Sequence, residues 1–226
     1  AKSDKFKNLT VASEVLQDGI FDLIDAGVVD FAVATAFSLS KKRVDQLASD
    51  LEKYKGKILF RPQEITNHPE VIRRIGVIAF NTALEVDIYG NVNSTHVSGT
   101  HVMNGIGGSA DFARNARITI FVTQSTAKDG NISTIVPFVT HVDHTNHEVD
   151  VIVTEQGYAD IRGLSAKEAA EKIIENCMHP KYKAQARKYF EDAKAQRGGN
   201  TPHLLDRAFS WHTNLAEKGT MLLDEE

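Results

Sequence analysis

Only one cysteine, Cys177, occurs among the 226 residues, so no intrachain disulfide can form and a reducing cytoplasm is the expected compartment. No apolar run is long enough to span a bilayer. The opening residues Ala1-Lys2-Ser3-Asp4-Lys5-Phe6-Lys7 are charged where a secretory signal would be apolar. A soluble chain without a membrane partner is therefore expected. Positive charge is not in excess either: the formal net charge is -4, and binding a phosphate backbone needs a clustered basic face. Nucleic acid is not an expected partner, although local charge leaves an anionic small molecule open. An initiator methionine is also lacking, and motif-rich sequence starts almost at once, as expected of a piece of a longer chain. Internal repeats and low-complexity tracts are absent.

What is present is 42% apolar residues, enough to bury a substantial core, and one domain over 1–226 is expected. Val11, Val15, Leu16, Ile20, Leu23 and Ile24 recur at roughly helical spacing, with Gly27 placed to stop the helix. Glu14 is thus expected near a helix start. Strands are predicted at Asp30 to Ala36, Ile58 to Phe60, Gly76 to Phe80, Ala83 to Ile88, Ile118 to Val122, Ile132 to Val136 and Val149 to Val153. Helices are predicted at about Lys41 to Tyr54 and Ala110 to Asn115. After Gly163 the sequence turns helical: Ser165-Ala166-Lys167-Glu168 matches a capping box, and Lys181 to Gln196 and Leu204 to Lys218 follow. Alternating strands and helices imply an α/β fold, a mostly parallel open sheet flanked by helices with a helical C-terminal tail.

Several constellations invite chemistry, each beside a plainer explanation. His141, His144 and His147, with Asp143, have a spacing that could hold a metal. Zinc needs three or four ligands converging in fixed geometry, which this spacing does not secure, so no metal is expected. The glycines of Asn104-Gly105-Ile106-Gly107-Gly108-Ser109 could let backbone N–H groups approach an oxyanion, or simply make a tight turn. Glu14 could merely complement a helix dipole, and Lys128 could sit in a solvated loop; taken alone, those readings prevail. Glu155 follows a predicted strand, where ligands of α/β sheets tend to bind.

In order along the chain, Ser13-Glu14-Val15-Leu16-Gln17-Asp18-Gly19, Ala34-Thr35-Ala36-Phe37-Ser38, Arg61-Pro62-Gln63-Glu64-Ile65-Thr66-Asn67, Glu85 to Ser94, Asn104 to Ser109 and Val153-Thr154-Glu155-Gln156-Gly157 form a pattern. Together they resemble the C-terminal domain of the acetyl-CoA hydrolase/transferase family, most of all its succinyl-CoA:acetate CoA-transferase branch, from about Leu9 to Phe190. The resemblance implies a class I CoA-transferase of two α/β halves, the N-terminal half being absent here. That absence leaves the activity of this piece alone in question. It further implies that Glu14 is the covalent nucleophile, that Asn67 touches the reacting glutamate or thioester, and that Gly108 offers an oxyanion donor. Leu84, Gly107, Gly108 and Lys128 match positions lining the CoA site, and Glu155 matches a carboxylate near the active centre. Coenzyme A would enter as a substrate, with no permanently bound cofactor. The implied partners are acyl-CoA, small carboxylates, the missing N-terminal half and a second copy in a homodimer. An acetyl-CoA hydrolase using the same glutamate is the alternative, and a CoA-binding module without chemistry is a third reading.

Overall fold

The structure, a computed structural model, describes residues 5–224; Ala1 to Asp4 of the charged opening, and Glu225 and Glu226, lie outside the described residues. Two compact units divide between Val77 and Ile78.

The first unit runs β1 (Leu9–Ala12), β2 (Val15–Leu16), α1 (Asp18–Asp25), β3 (Val29–Ala34), β4 (Ala36–Phe37), α2 (Lys41–Ser49), β5 (Ile58–Phe60), α3 (Gln63–Thr66) and α4 (Pro69–Ile75). Its sheet is parallel, in the order β1-β3-β5, and β2 pairs in parallel with β4. Helix α1 lays Phe21 and Ile24 on Ala32, Ala34, Leu16 and Tyr54. Gly27, at φ +69°, lets the chain turn back out of that helix into β3. Arg43 ties α2 to α1 by pairing with Asp22 and Asp25. The expected helix from Val11 is corrected here. Residues 9–12 pair with β3, and helical structure begins only at Asp18, because β-branched Thr10, Val11 and Val15 satisfy their backbone in strand ladders. Glu14 therefore lies in the link between two strands, not at a helix start.

The second unit runs β6 (Ile78–Thr82), β7 (Glu85–Asp87), β8 (Val92–Asn93), β9 (His96–Val97), β10 (His101–Val102), α5 (Ser109–Asn115), β11 (Ile118–Val122), β12 (Thr126–Ala127), β13 (Ile132–Ser133), β14 (Ile135–Val136), β15 (Val151–Thr154), β16 (Gly157–Asp160), α6 (Ala166–Cys177), α7 (Pro180–Gln196) and α8 (Ser210–Lys218). Its main sheet has the order β16-β15-β11-β6, with β6, β11 and β15 parallel and β16 an antiparallel edge. The architecture is thus α/β with parallel sheets flanked by helices and helical at its C-terminal end. The last three helices belong to the core: Ile173, Cys177, Tyr182, Ala186, Phe190 and Trp211 pack in one cluster with Phe121 and Ile152 of the sheet. Burial pushes the Cys177 thiol up to about 12, which leaves it an inert core residue. The capping box at Ser165 and Glu168 is formed. No helix among the described residues is long and apolar enough to cross a membrane.

Several boundaries move for local reasons. Gly76 adopts φ +66° to close α4, so the strand expected from Gly76 starts at Ile78. The run Ile132 to Val136 breaks at Thr134, whose hydroxyl donates to the Gln124 carbonyl at 2.5 Å. The helix expected from Leu204 starts at Ser210, after turns in which the Leu204 N–H donates to the Tyr189 hydroxyl. Strand β16 was not foreseen, because Gly157-Tyr158-Ala159-Asp160 carries little β propensity and is recruited by pairing with β15.

Candidate active site

Glu14 is fixed by its backbone. The Thr35 and Ala36 N–H groups both donate to its carbonyl, at 2.9 and 3.1 Å, where β3 gives way to β4. Its half-buried side chain meets Asn67, the residue that closes α3: Asn67 Nδ2 donates to Glu14 Oε2 at 3.0 Å. Asn67 is buried, and its amide orientation is dictated from behind. The Thr66 hydroxyl donates to Asn67 Oδ1 at 2.9 Å and lies 2.6 Å from the Thr35 hydroxyl. With its oxygen engaged by a donor, the amide must present its NH2 to the carboxylate. The first unit thus brings together two of the predicted site residues, Glu14 and Asn67. Thr35 and Thr66 lie inside motifs quoted from the sequence, but nothing in local spacing marks them as the support behind Asn67.

In the second unit, Gly107 takes φ +56° and Gly108 caps the start of α5. Gly108 is buried while residues 101–107 are exposed. Leu84 is half-buried, and its N–H donates to the Asn93 carbonyl at 2.9 Å. Lys128 is exposed at the tip of the β12–β13 hairpin, where it and Asp129 adopt φ +47° and +53°. Two consecutive left-handed residues without glycine are strained, and such strain is found disproportionately at functional positions.

Glu155 occupies the two-residue turn between β15 and β16. Burial would raise its carboxyl, but the Ser125 hydroxyl, the Gln156 amide and the Ser125 N–H all donate to it and carry it down to about 2. It is a carboxylate at any working pH. Ser125 is a partner that the sequence did not single out.

The histidine-rich segment does other work. His144 is fully buried, between Ser109 and Glu148. His141 stacks on His96 with ring centroids 3.8 Å apart. His147 is exposed. Among the described residues no group of three or more His, Cys, Asp or Glu could hold a metal ion.

Residues 44–190 match the family profile described as "Acetyl-CoA hydrolase/transferase C-terminal domain". The chain belongs to that family. It is 58% identical over 216 residues to succinyl-CoA:acetate CoA-transferase of Clostridium kluyveri, a match covering 96% of this chain and 40% of that protein. It is 48% identical to acetyl-CoA hydrolase of Saccharomyces cerevisiae, covering 97% of this chain and 43% of the relative. Among solved structures, 4-hydroxybutyrate CoA-transferase of Porphyromonas gingivalis superposes with a TM-score of 0.64 at 25% identity, over 84% of this chain and 46% of that one. The chain therefore spans less than half the length of the curated relatives it matches.

The family profile begins at residue 44, beyond Glu14. The 96% coverage of the clostridial transferase leaves too few residues unmatched to exclude the Glu14 segment. Glu85, the first residue of one of the quoted motifs, gains partners that no local pattern predicts. Its buried carboxylate accepts from Asn93 Nδ2, from the Thr140 N–H and hydroxyl, and from His212 Nε2 at 2.9 Å. Burial acts to raise this carboxyl, and those donors, His212 foremost, outweigh it and hold it below the usual range. Nothing in sequence spacing links Glu85 to His212, which stand 127 positions apart.

Proposed function

We propose that the protein containing this chain transfers coenzyme A between a short-chain acyl-CoA, succinyl-CoA or acetyl-CoA, and a carboxylate such as acetate, with Glu14 as nucleophile. The observation that carries this reading is the Glu14 carboxylate itself, aimed by the single amide of Asn67 and otherwise lightly held. Glu14 attacks the thioester carbonyl, the C–S bond breaks, and CoA leaves as thiolate from an acyl-glutamyl anhydride. The thiolate then attacks the Glu14 carbonyl of that anhydride and expels the original acyl group as a free carboxylate, leaving a glutamyl-CoA thioester. An incoming carboxylate runs the two steps in reverse and departs as the new acyl-CoA. Splitting one hard exchange into easier ones is the advantage of covalent catalysis. A carboxylate suits the task because its acyl adduct, an anhydride, is itself activated, whereas a serine ester is not.

The remaining assignments follow the same reading. Gly108 donates its N–H to a tetrahedral oxyanion, Gly107 and Leu84 line the CoA path, Lys128 meets a CoA phosphate or the pantetheine arm, and Glu155 orients a substrate. Coenzyme A comes and goes as substrate, and the chemistry is complete without a resident cofactor. The remainder of the parent protein supplies further CoA contacts; the assembly is a homodimer and its compartment the cytoplasm. Hydrolysis is the second reading, favoured by the identity with a yeast acetyl-CoA hydrolase; there water intercepts the anhydride or the glutamyl-CoA.

The test uses the full-length parent with succinyl-CoA, with and without acetate, trapped with borohydride and followed by mass analysis of the Glu14 peptide. Acetate-dependent exchange with a Glu14 adduct that is lost in Glu14→Ala is the expected result. Turnover independent of acetate selects the hydrolase, and turnover that survives Glu14→Ala removes Glu14 as nucleophile.

A further inference from the structure

The histidine-rich segment is left unused by the proposed chemistry, yet it grips both flanks of the glycine turn. Consecutive glycines permit close backbone approach at the cost of rigidity, so the restraint on Gly107 and Gly108 must come from the residues around them. On the N-terminal flank, Asp143 accepts from the Ser94 N–H at 2.8 Å and from the Thr95 hydroxyl at 2.8 Å. Ser94 and Thr95 in turn hold the loop, since Asn104 Nδ2 donates to the Ser94 carbonyl at 2.9 Å and the Met103 N–H to the Thr95 carbonyl at 2.8 Å.

On the C-terminal flank, His144 Nε2 lies 3.1 Å from the hydroxyl of Ser109, the residue after Gly108. That hydroxyl also reaches the Ile106 carbonyl at 2.8 Å, closing the turn across both glycines. The imidazole makes a rigid post. It is fully buried against the Phe121 ring, its backbone bridges β8 through Val92 in both directions, and its Nδ1 faces Glu148, which Arg114 of α5 also holds. Ser109, His144 and Glu148 have the outline of a nucleophilic triad, but a ring with no exposed surface cannot serve a reacting substrate, and the hydroxyl is engaged in the turn.

We propose that Asp143 and His144 are positioning residues that clamp the Gly107-Gly108 turn from both sides and so set the direction of the Gly108 N–H. The proposal rests on the reading of Gly108 as an oxyanion donor. A loosened clamp weakens stabilisation of the transition state and leaves binding of acyl-CoA in place, which separates it from a general structural role.

The experiment measures kcat and KM for acyl-CoA in the full-length parent carrying Ser109→Ala, Ser109→Thr, His144→Gln, Asp143→Asn and the double variant Ser109→Ala/His144→Gln, beside amide hydrogen exchange at 105–109. Losing an oxyanion donor outright costs roughly 10²–10³-fold in kcat, so a misdirected one is expected to cost about 10- to 100-fold. Ser109→Ala, His144→Gln and Asp143→Asn should lower kcat by that amount with KM unchanged and faster exchange in the turn. Ser109→Thr, which keeps the hydroxyl, should retain kcat, and the double variant should be no worse than the poorer single one, because both changes cut the same link. Turnover that needs Glu14 but ignores Ser109, His144 and Asp143, or losses that multiply in the double variant, overturns this inference alone. Turnover that survives Glu14→Ala overturns the catalytic reading beneath it and this inference with it.

Discussion

Glu14 in the first unit and Glu155 in the second are both carboxylates at strand ends, yet they are treated in opposite ways. Among the described residues one side-chain donor, Asn67, reaches Glu14, while Glu155 collects the hydroxyl and N–H of Ser125 and the amide of Gln156. Each donor on a carboxylate stabilises its charge and occupies a lone pair. A carboxylate meant to attack needs aim with little solvation; one meant to hold a fixed charge needs the reverse. Under the proposed function Glu14 takes the first part and Glu155, carried down to about 2, the second.

The largest expected effect tests that contrast directly. In the parent protein Glu14→Gln should lower kcat by about 10⁴-fold or more, the scale of removing a covalent nucleophile. Glu155→Gln should act mainly by raising KM for acyl-CoA, and steady-state kinetics on the pair decide it; equal losses of kcat would erase the distinction.

Next comes the aim of Glu14. Hydrogen bonds to charged groups contribute roughly 1.5–3 kcal/mol, so Asn67→Ala should reduce kcat by about 10- to 100-fold. Thr66→Val, which frees the amide to rotate, should cost less, and an unchanged kcat in both would show that Glu14 needs no aiming.

The units also differ in what they bury. The second half-buries His203 against Tyr89, Phe138 and Tyr189, and that burial takes its imidazole down to about 4. His144 is lowered by burial in the same direction. Between the ordinary histidine value and the folded one, the unfolded chain binds more protons, so stability falls as pH drops from about 6.5 toward about 4. The slope contributed by His203 approaches roughly 1.4 kcal/mol per pH unit. Urea titrations across that range should show it, and His203→Gln should flatten it; a slope untouched by the variant would assign the acid sensitivity elsewhere.

The smallest effect sharpens the comparison at Glu155. Ser125→Ala removes the hydroxyl donor and should move its carboxyl back up toward the ordinary value, readable by NMR titration of the side chain. No movement would mean that the backbone N–H of Ser125 alone holds the charge.

Much of this molecule was legible in its sequence. Strands Ile58–Phe60 and Ile118–Val122, the capping box at Ser165 and the parallel α/β class follow from side-chain periodicity and cap chemistry, which are properties of neighbouring residues. The ordered motifs carried the family as well, because a series of short segments in fixed sequence is far more specific than any one of them. Where local signals conflicted, the reading failed: Val11 to Leu16 has helical spacing but β-branched side chains, and pairing with β3 and β4 settled it.

The sequence by itself thus determined the class of fold, the family and the names of the candidate residues. Only tertiary structure decided which residues meet and how each is held: that Asn67 reaches Glu14 across 53 positions, that Ser125 holds Glu155 across 30, and that His144 meets Ser109 across 35. The reason is physical. Periodicity and capping act over a few residues and are written locally, whereas the donor count on a carboxylate depends on strands and loops brought together from far along the chain.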